Sequence, residues 1–425
     1  MPKIDLKYGK TQIPFAYDEN RFEILGFKKP APPLTDAEIG ARLDEPIASK
    51  PLEEIIGEGE SVLIVVPDAT RQTACASVVN LLVRRLIANG SMPFNIRIIF
   101  ATGIHRKVTD EEKRELLTPF IFQRISTLDH NAKDLRRLAG LDSKQFVNFG
   151  EIDGAPIELN RALTEHDHVI IIGGVTFHYF AGFTGGRKLI CPGLASSATV
   201  SATHALAFDC AIKSRRAGVG AGLLDGNAVH EAFMEVAAKI NPSFAVNTVT
   251  DDKGEATTIF CGDWREAHRA ACDFYASHHT LEINEKRDLV IVSGGGAPFD
   301  LNMIQAHKAL ETAAAACNDG GTIALLAECA DGLGRHDFLS WFEAENSDKL
   351  AENLCARYQV NGQTAWSLLR KAERFNVQIV TSLTEDETRP MRLHKARSLE
   401  ETLNDLDKTT KGYILPFGAK FLIQN

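Results

Sequence analysis

The chain has 425 residues, 44% of them hydrophobic and 24% charged, with a formal net charge of −9; a chain of this size can bury substantial cores and should divide into two or three domains. The acidic balance leaves no electrostatic footprint for nucleic acid or an anionic membrane. No apolar run reaches transmembrane length and the N-terminus has no apolar signal region, so the expected partner is a small molecule. Eight cysteines lie scattered without a Cys-x-x-Cys pair, which suggests neither a zinc ribbon nor a disulfide framework and points to reduced thiols in a cytoplasmic compartment.

In chain order, the β-branched run 62–66 predicts a buried strand, followed by Asp68-Ala-Thr-Arg71. Taken alone, that turn reads as a strand-to-helix connection with Asp68 or Thr70 capping a helix that starts near Gln72. An amphipathic stretch over 76–89 precedes a second strand, 96–100, and then Gly103-Ile-His105. Thr109-Asp-Glu-Glu112 has the form of a capping box opening the next helix. A third apolar run, 168–172, ends at Gly173-Gly174, as expected for a strand stopping in a tight turn. The pattern restarts near Asp288 with a strand over 289–292, the turn Gly295-Gly-Ala-Pro298, a helix over 303–317 and strands over 322–327 and 377–380. This alternation predicts α/β architecture with two domains, each with a mostly parallel, Rossmann-like sheet.

The chemistry concentrates after the third strand. His178 and Lys188 stand ten residues apart around a glycine-rich run, and His204 follows sixteen residues later. In open α/β sheets ligands bind beyond the carboxyl ends of the strands, so this position suits a cofactor. Gly182, Gly185 and Gly186 would let the backbone approach a bound group and aim amides at a phosphate. Lys188 can supply a nucleophilic amine if burial or a neighbouring cation such as Arg187 lowers its pKa. His204 lies in a run of small residues suited to a close-packed helix, where a neutral imidazole can bind nickel, zinc or copper. Each feature also has an ordinary reading: Gly-Gly pairs mark turns, a histidine after glycine is commonly a loop residue, and Gln305-Ala-His-Lys308 can be a solvated helix face. His130, His166, His168 and the pair His278-His279 read as loop or strand-edge residues.

All of these motifs in this order resemble the lactate racemase family, nickel-pincer-nucleotide enzymes that interconvert stereoisomers of 2-hydroxy acids; the similarity spans roughly residues 60–345. The resemblance implies a pyridinium mononucleotide that holds nickel between two sulfur substituents and is covalently attached to Lys188, with His204 as the protein ligand to the metal. It implies His105 and His178 as catalytic acid–base residues on opposite sides of the substrate, and Arg71, Gln305 and Lys308 as holders of its carboxylate, with Asp68 orienting Arg71 or its neighbours. Gly185, Gly186 and Arg187 would contact the cofactor. It further implies a first, cofactor-binding domain over 1–285 completed by a last strand in 411–425, a second domain over 286–410, and an active site in the cleft between them. Enzymes that build the cofactor are the implied partners besides the substrate. Ile304 departs from the family's tyrosine, and Arg187 suggests a larger or second acidic group on the substrate. Two rival readings stand beside this one, an NAD-dependent oxidoreductase and a non-catalytic carrier of the nickel nucleotide. Against the first, neither half shows Gly-x-Gly-x-x-Gly directly after a strand with an acidic residue about twenty positions on; against the second, a carrier needs no pair of bases.

Overall fold

The structure, a computed structural model, describes residues 1–26, 31–71, 73–404 and 406–424. After a short strand, β1 (Phe22–Ile24), the chain builds a six-stranded sheet from β2 (Val62–Pro67), β3 (Ile96–Ala101), β4 (Ser126–Asp129), β5 (His168–Gly174), β6 (Phe244–Thr250) and β7 (Ala256–Gly262). Its spatial order is β7-β6-β5-β2-β3-β4, parallel throughout except for the antiparallel pair β6/β7. Helices of this part include α1 (Cys75–Ala88), α2 (Asp110–Arg124), α3 (Ser197–Ala205), α4 (Ala228–Ala238) and α5 (Glu266–His279). Every residue from Val62 to Val66 is fully buried, which is why β2 reads as a continuous apolar run rather than an alternating one. Val78, Val79, Leu82, Val83 and Leu86 of α1 share a core with Val62, Ile64 and Val66.

Local signals at helix ends were read with mixed success. The capping box opens α2 as expected: Glu112 N donates to Thr109 Oγ1 (3.3 Å) and Thr109 N to the Glu112 carboxylate (2.8 Å). Helix α1 starts at Cys75, and its N-cap, Ala74, is left-handed at φ 48° with no side-chain cap. Gln72, where this helix was expected to begin, lies outside the described residues. Asp68 folds its own loop instead, accepting from Thr70 N (2.9 Å) and Thr70 Oγ1 (2.5 Å).

The second sheet comprises β8 (Arg287–Ser293), β9 (Cys317–Leu326), β10 (Asn376–Val380), β11 (His394–Ala396) and β12 (Gly412–Leu415), in the all-parallel order β11-β10-β9-β8-β12-β1. Helix α6 (Met303–Ala316) follows β8 and is capped by Asn302, whose side chain accepts from Gln305 N (3.1 Å). The fold is therefore α/β, with two six-stranded, mostly parallel sheets. One compact unit takes Pro30–Ala207 and Ala217–Tyr275; the other takes Met1–Lys29, Phe208–Arg216 and Ala276–Asn425.

Two expectations are corrected. The segment 411–425 does not return to the first sheet: β12, buried along its whole length, pairs with β8 on one side and β1 on the other, and the final strand, Leu422–Gln424, pairs with Thr280–Glu282. An apolar strand buried on both faces needs a neighbour at each edge, and the N-terminal β1 supplies the second. Nor are all thiols reduced, because Cys210 and Cys355 form a disulfide across 145 residues. That pairing joins Phe208–Arg216 to α7 (Ser347–Ala356), and no local spacing could have announced it. The other six cysteines are free and buried.

Candidate functional site

In the first sheet the chain runs outward from β2 to β3 and β4, then crosses to β5 and continues the other way to β6 and β7. The crevice between β2 and β5 is thus the topological switch point, where an open α/β sheet offers a ligand site at its carboxyl end. Asp68 leaves the end of β2, His105 follows β3, and His178 and Lys188 follow β5. The connectivity itself gathers residues that are far apart in sequence.

Asp68 and His105 form a dyad, with His105 Nδ1 2.7 Å from Asp68 Oδ2. Burial alone would push the Asp68 carboxyl up, but the charge and hydrogen bond of His105, then Arg71 and Thr70, hold it well below the ordinary carboxylate range. An ionised carboxylate only accepts. The proton between the two residues therefore sits on His105 Nδ1, and Nε2 is the basic nitrogen of a ring whose side chain is 38% exposed.

Beyond β5 a second group assembles around two phenylalanine rings. The Phe180 ring lies edge-on to His178 (4.4 Å between centroids) and to His204 (5.2 Å), and Phe233 packs against His204 at 5.3 Å. Lys188 Nζ sits over both rings, 5.6 Å from Phe180 and 5.0 Å from Phe233. His204 rides on α3, where Ser196 caps the helix and small side chains permit close packing. Its Nδ1 donates to Val200 O (2.8 Å), one turn back, which makes Nε2 the lone-pair nitrogen. Burial first, then the charge on Lys188, pulls this imidazole down to about 3, so it is a neutral nitrogen donor at physiological pH. A neutral imidazole beside a half-buried amine is the donor chemistry required by a metal-bearing group tethered to the lysine. Among the described residues no three His, Cys, Asp or Glu side chains gather as a complete metal set, so a metal here would take most of its ligands from a bound group. Cys191 is fully buried, its thiol pushed up to about 12 chiefly by burial, consistent with a packing role.

The glycines and Arg187 are turned the other way. Gly186 is left-handed (φ 49°), and a Cβ there would lie 2.5–2.9 Å from the His268 ring and its Cβ. Its amide donates to Asn247 Oδ1 (3.0 Å). At Gly185 a Cβ would meet Val175 and Asn247. These glycines are required by close packing within the protein, and the Gly186 amide is engaged by the protein rather than aimed at a ligand. Arg187 is fully buried; Nη2 donates to Ala181 O (2.7 Å) and Nη1 to His268 Nε2 (2.9 Å). It holds the turn that bears Lys188 onto the His178 loop. Sequence reasoning missed His268, Asn247 and Asn227, which support this turn from α5, β6 and the start of α4. Of these, Asn247 alone stood out in sequence, as a polar residue in the apolar run of β6.

Arg71 is near enough to Asp68 for its charge to lower that carboxyl. Arg71 lines a cleft of about 370 Å³ together with Ala69, Thr73, Glu112, Glu115 and Lys253. His105, His178, Lys188 and His204 are not among the described residues lining it. Gln305 and Lys308 sit one turn apart on α6 in the other unit, Lys308 Nζ donating to Gln305 Oε1 (2.6 Å). Ile304 packs on that unit's core.

Comparison with known proteins gives a consistent picture. The signature of the lactate racemase N-terminal domain matches residues 8–215, and that of the lactate racemase C-terminal domain matches 283–413. The lactate racemase of Thermoanaerobacterium thermosaccharolyticum is 31% identical over 348 residues, 81% of this chain and 78% of the relative. The lactate racemase of Lactiplantibacillus plantarum is 31% identical over 343 residues, 80% of this chain and 77% of that one. The solved lactate racemase apoprotein from T. thermosaccharolyticum superposes with a TM-score of 0.86 at 26% identity, covering 100% of both chains.

Proposed function

The chain belongs to the lactate racemase family, and we propose that it interconverts the stereoisomers of a 2-hydroxy acid. The observation that carries the reading is the convergence, at one strand-end crevice, of an amine, a buried neutral imidazole and two further histidines, one backed by a carboxylate. In this reading Lys188 tethers a nickel-pincer nucleotide and His204 binds its nickel. When bound, that group supplies the hydride acceptor and the metal.

The chain's own residues do the rest. The Cα proton of a 2-hydroxy acid is weakly acidic, whereas loss of hydride leaves a planar 2-oxo acid that can take hydride back on either face. His105 accepts the hydroxyl proton at Nε2 while Asp68 stabilises the imidazolium that forms. His178 is the second acid–base group. Arg71, Gln305 and Lys308 are the proposed holders of the substrate carboxylate. The rings of Phe180 and Phe233 exclude water around Lys188 and His204, which strengthens every charge interaction there. Arg187, engaged inside the protein, gives no reason to assign a second acidic group to the substrate.

The test is to co-express the chain with the cofactor-building enzymes in nickel medium and screen 2-hydroxy acids for racemisation by chiral chromatography. A racemase loses turnover in His105→Ala and His178→Ala while keeping its nickel. A carrier would show no turnover in any form, and an NAD-dependent oxidoreductase would require added nicotinamide cofactor.

A further inference from the structure

Six of the eight cysteines are free and buried, whereas the bonded pair stands at the surface: Cys210 is exposed and Cys355 half-buried. The disulfide lies where a soluble thiol can reach it, and an exposed disulfide is the kind that exchanges. Its place in the chain is equally telling. After Ala207 the chain leaves the unit that carries Lys188 and His204, and it returns there at Ala217. The excursion between them, Phe208–Arg216, belongs to the unit that carries Gln305 and Lys308.

The excursion is a short hairpin, Phe208 opposite Arg215 and Asp209 opposite Ser214, and a ribbon of that length does not hold its own shape. At its base Phe208 is buried in the core of its unit, edge-on to Trp366 at 4.9 Å. Across from it, Arg215 Nη2 donates to Glu311 Oε2 (3.3 Å), and Glu311 also accepts from Lys371 Nζ (2.6 Å) and Ser367 Oγ. The tip is tied by the disulfide to α7, by Lys213 Nζ on Glu352 Oε1 (2.6 Å) and by Arg370 Nη1 on Ser214 Oγ (2.9 Å). The Lys213 and Glu352 side chains are 45% and 43% exposed, and an ion pair so exposed holds little. The covalent bond is therefore the strongest tie of the tip. Both strands of the hairpin lead to candidate site residues. Ala207 N donates to His204 O (3.0 Å) at the end of α3, directly before Phe208. Glu311, the partner of Arg215, lies on α6 one turn beyond Lys308.

We propose that Cys210–Cys355 is a latch operated by a dithiol reductant. Closed, it fixes the end of the helix that carries His204 and the helix that carries Gln305 and Lys308; opened, it loosens both, and with His204 the hold on nickel. The latch stands on the hairpin's own contacts, and its link to nickel rests on the reading of Lys188 and His204 given above. Opening is thiol–disulfide exchange. A thiolate of the dithiol attacks one sulfur, the S–S bond breaks, and the second thiol of the reductant then resolves the mixed disulfide. Two electrons and two protons pass to Cys210 and Cys355, and the reductant leaves as its own disulfide. With the tip released, the short ribbon no longer keeps Arg215 opposite Phe208, so Glu311 loses one of its cations and Phe208 is left as a single anchor after α3.

The first arm of the test uses the folded full chain without cofactor. Dithiothreitol followed by maleimide should label Cys210 and Cys355 and leave the six buried thiols unmarked; a pair that yields only on unfolding would overturn the proposal. Hydrogen–deuterium exchange read by mass spectrometry should then quicken by about 10-fold or more over 204–216 and around Glu311, while β2 and β3 keep their protection. Quickening confined to 209–214 would also overturn it, because the opening would reach neither helix. The second arm uses cofactor-loaded protein and avoids reductant, since dithiols themselves bind nickel. Cys210→Ser/Cys355→Ser should release nickel to a chelator about 10-fold faster than the oxidised parent, and equal release would refute the link to the metal. A parent chain that takes up no nickel group would refute the reading of Lys188 and His204 and leave the labelling and exchange results standing.

Discussion

Gly186→Ala is the perturbation whose effect the structure defines most sharply. The residue is left-handed at φ 49°, a conformation costing an L-residue about 1–2 kcal/mol. The added methyl would lie 2.5, 2.6 and 2.9 Å from His268 Cδ2, Cγ and Cβ. His268 cannot swing aside, because it is 3% exposed and its Nε2 is within 2.9 Å of both Arg187 Nη1 and Thr184 O. Overpacking of this kind costs about 1–3 kcal/mol. The combined loss is therefore about 2–5 kcal/mol, measurable as a shifted midpoint in urea denaturation followed by circular dichroism. The double variant Gly186→Ala/His268→Ala removes the two closest contacts. It should be less destabilised than the sum of the single variants, with a coupling of about 0.5–3 kcal/mol. A Gly186→Ala protein within about 0.5 kcal/mol of the parent, or strictly additive losses, would refute the reasoning that this glycine exists for protein packing.

Three further outcomes are expected. Asp68→Asn should fold normally and lose about 10²–10⁴-fold in racemisation rate, because the imidazolium on His105 loses its counter-charge; an unchanged rate would remove the dyad from the mechanism. Burial draws the His130 imidazole down to about 4, so between pH 4 and its ordinary value near 6.5 the unfolded chain binds the extra proton. Stability should fall as the pH is lowered through that window, by at most roughly 3 kcal/mol. His130→Gln should flatten that slope in urea titrations, and an unaltered slope would place the acid sensitivity elsewhere. Maleimide labelling of the denatured, unreduced chain should mark six cysteines, and eight after reduction; eight without reductant would dissolve the Cys210–Cys355 bond.

What could be read from the sequence was local. Strands β2, β3 and β5 declared themselves as β-branched runs because both faces of a central parallel strand are covered, and Thr109 with Glu112 declared the start of α2 because the capping box is a four-residue device. The spacing of His178, Lys188 and His204 was informative because the chain leaving β5 carries all three, and the structure brings them around Phe180 and Phe233. Side-chain direction was not legible. Glycines that admit a ligand and glycines that admit a neighbouring ring look alike in sequence, and Gly186 proved to be the second kind because His268, 82 residues later, fills the space. Arg187 beside a candidate cofactor lysine suggested an anion contact, yet its partners, Ala181 O and His268, are set by the fold of the turn. The placement of β12 and the Cys210–Cys355 bond are long-range pairings for which no window of sequence carries a pattern.

The central claim is that Lys188 carries a nickel-bearing nucleotide. It is tested most directly by intact and peptide mass spectrometry with metal analysis, on protein co-expressed with the cofactor-building enzymes in nickel medium. The account predicts a covalent adduct on the Lys188 peptide with near-stoichiometric nickel, and loss of the adduct in Lys188→Arg. An unmodified Lys188, in a preparation where a known racemase expressed in parallel becomes loaded, would contradict it.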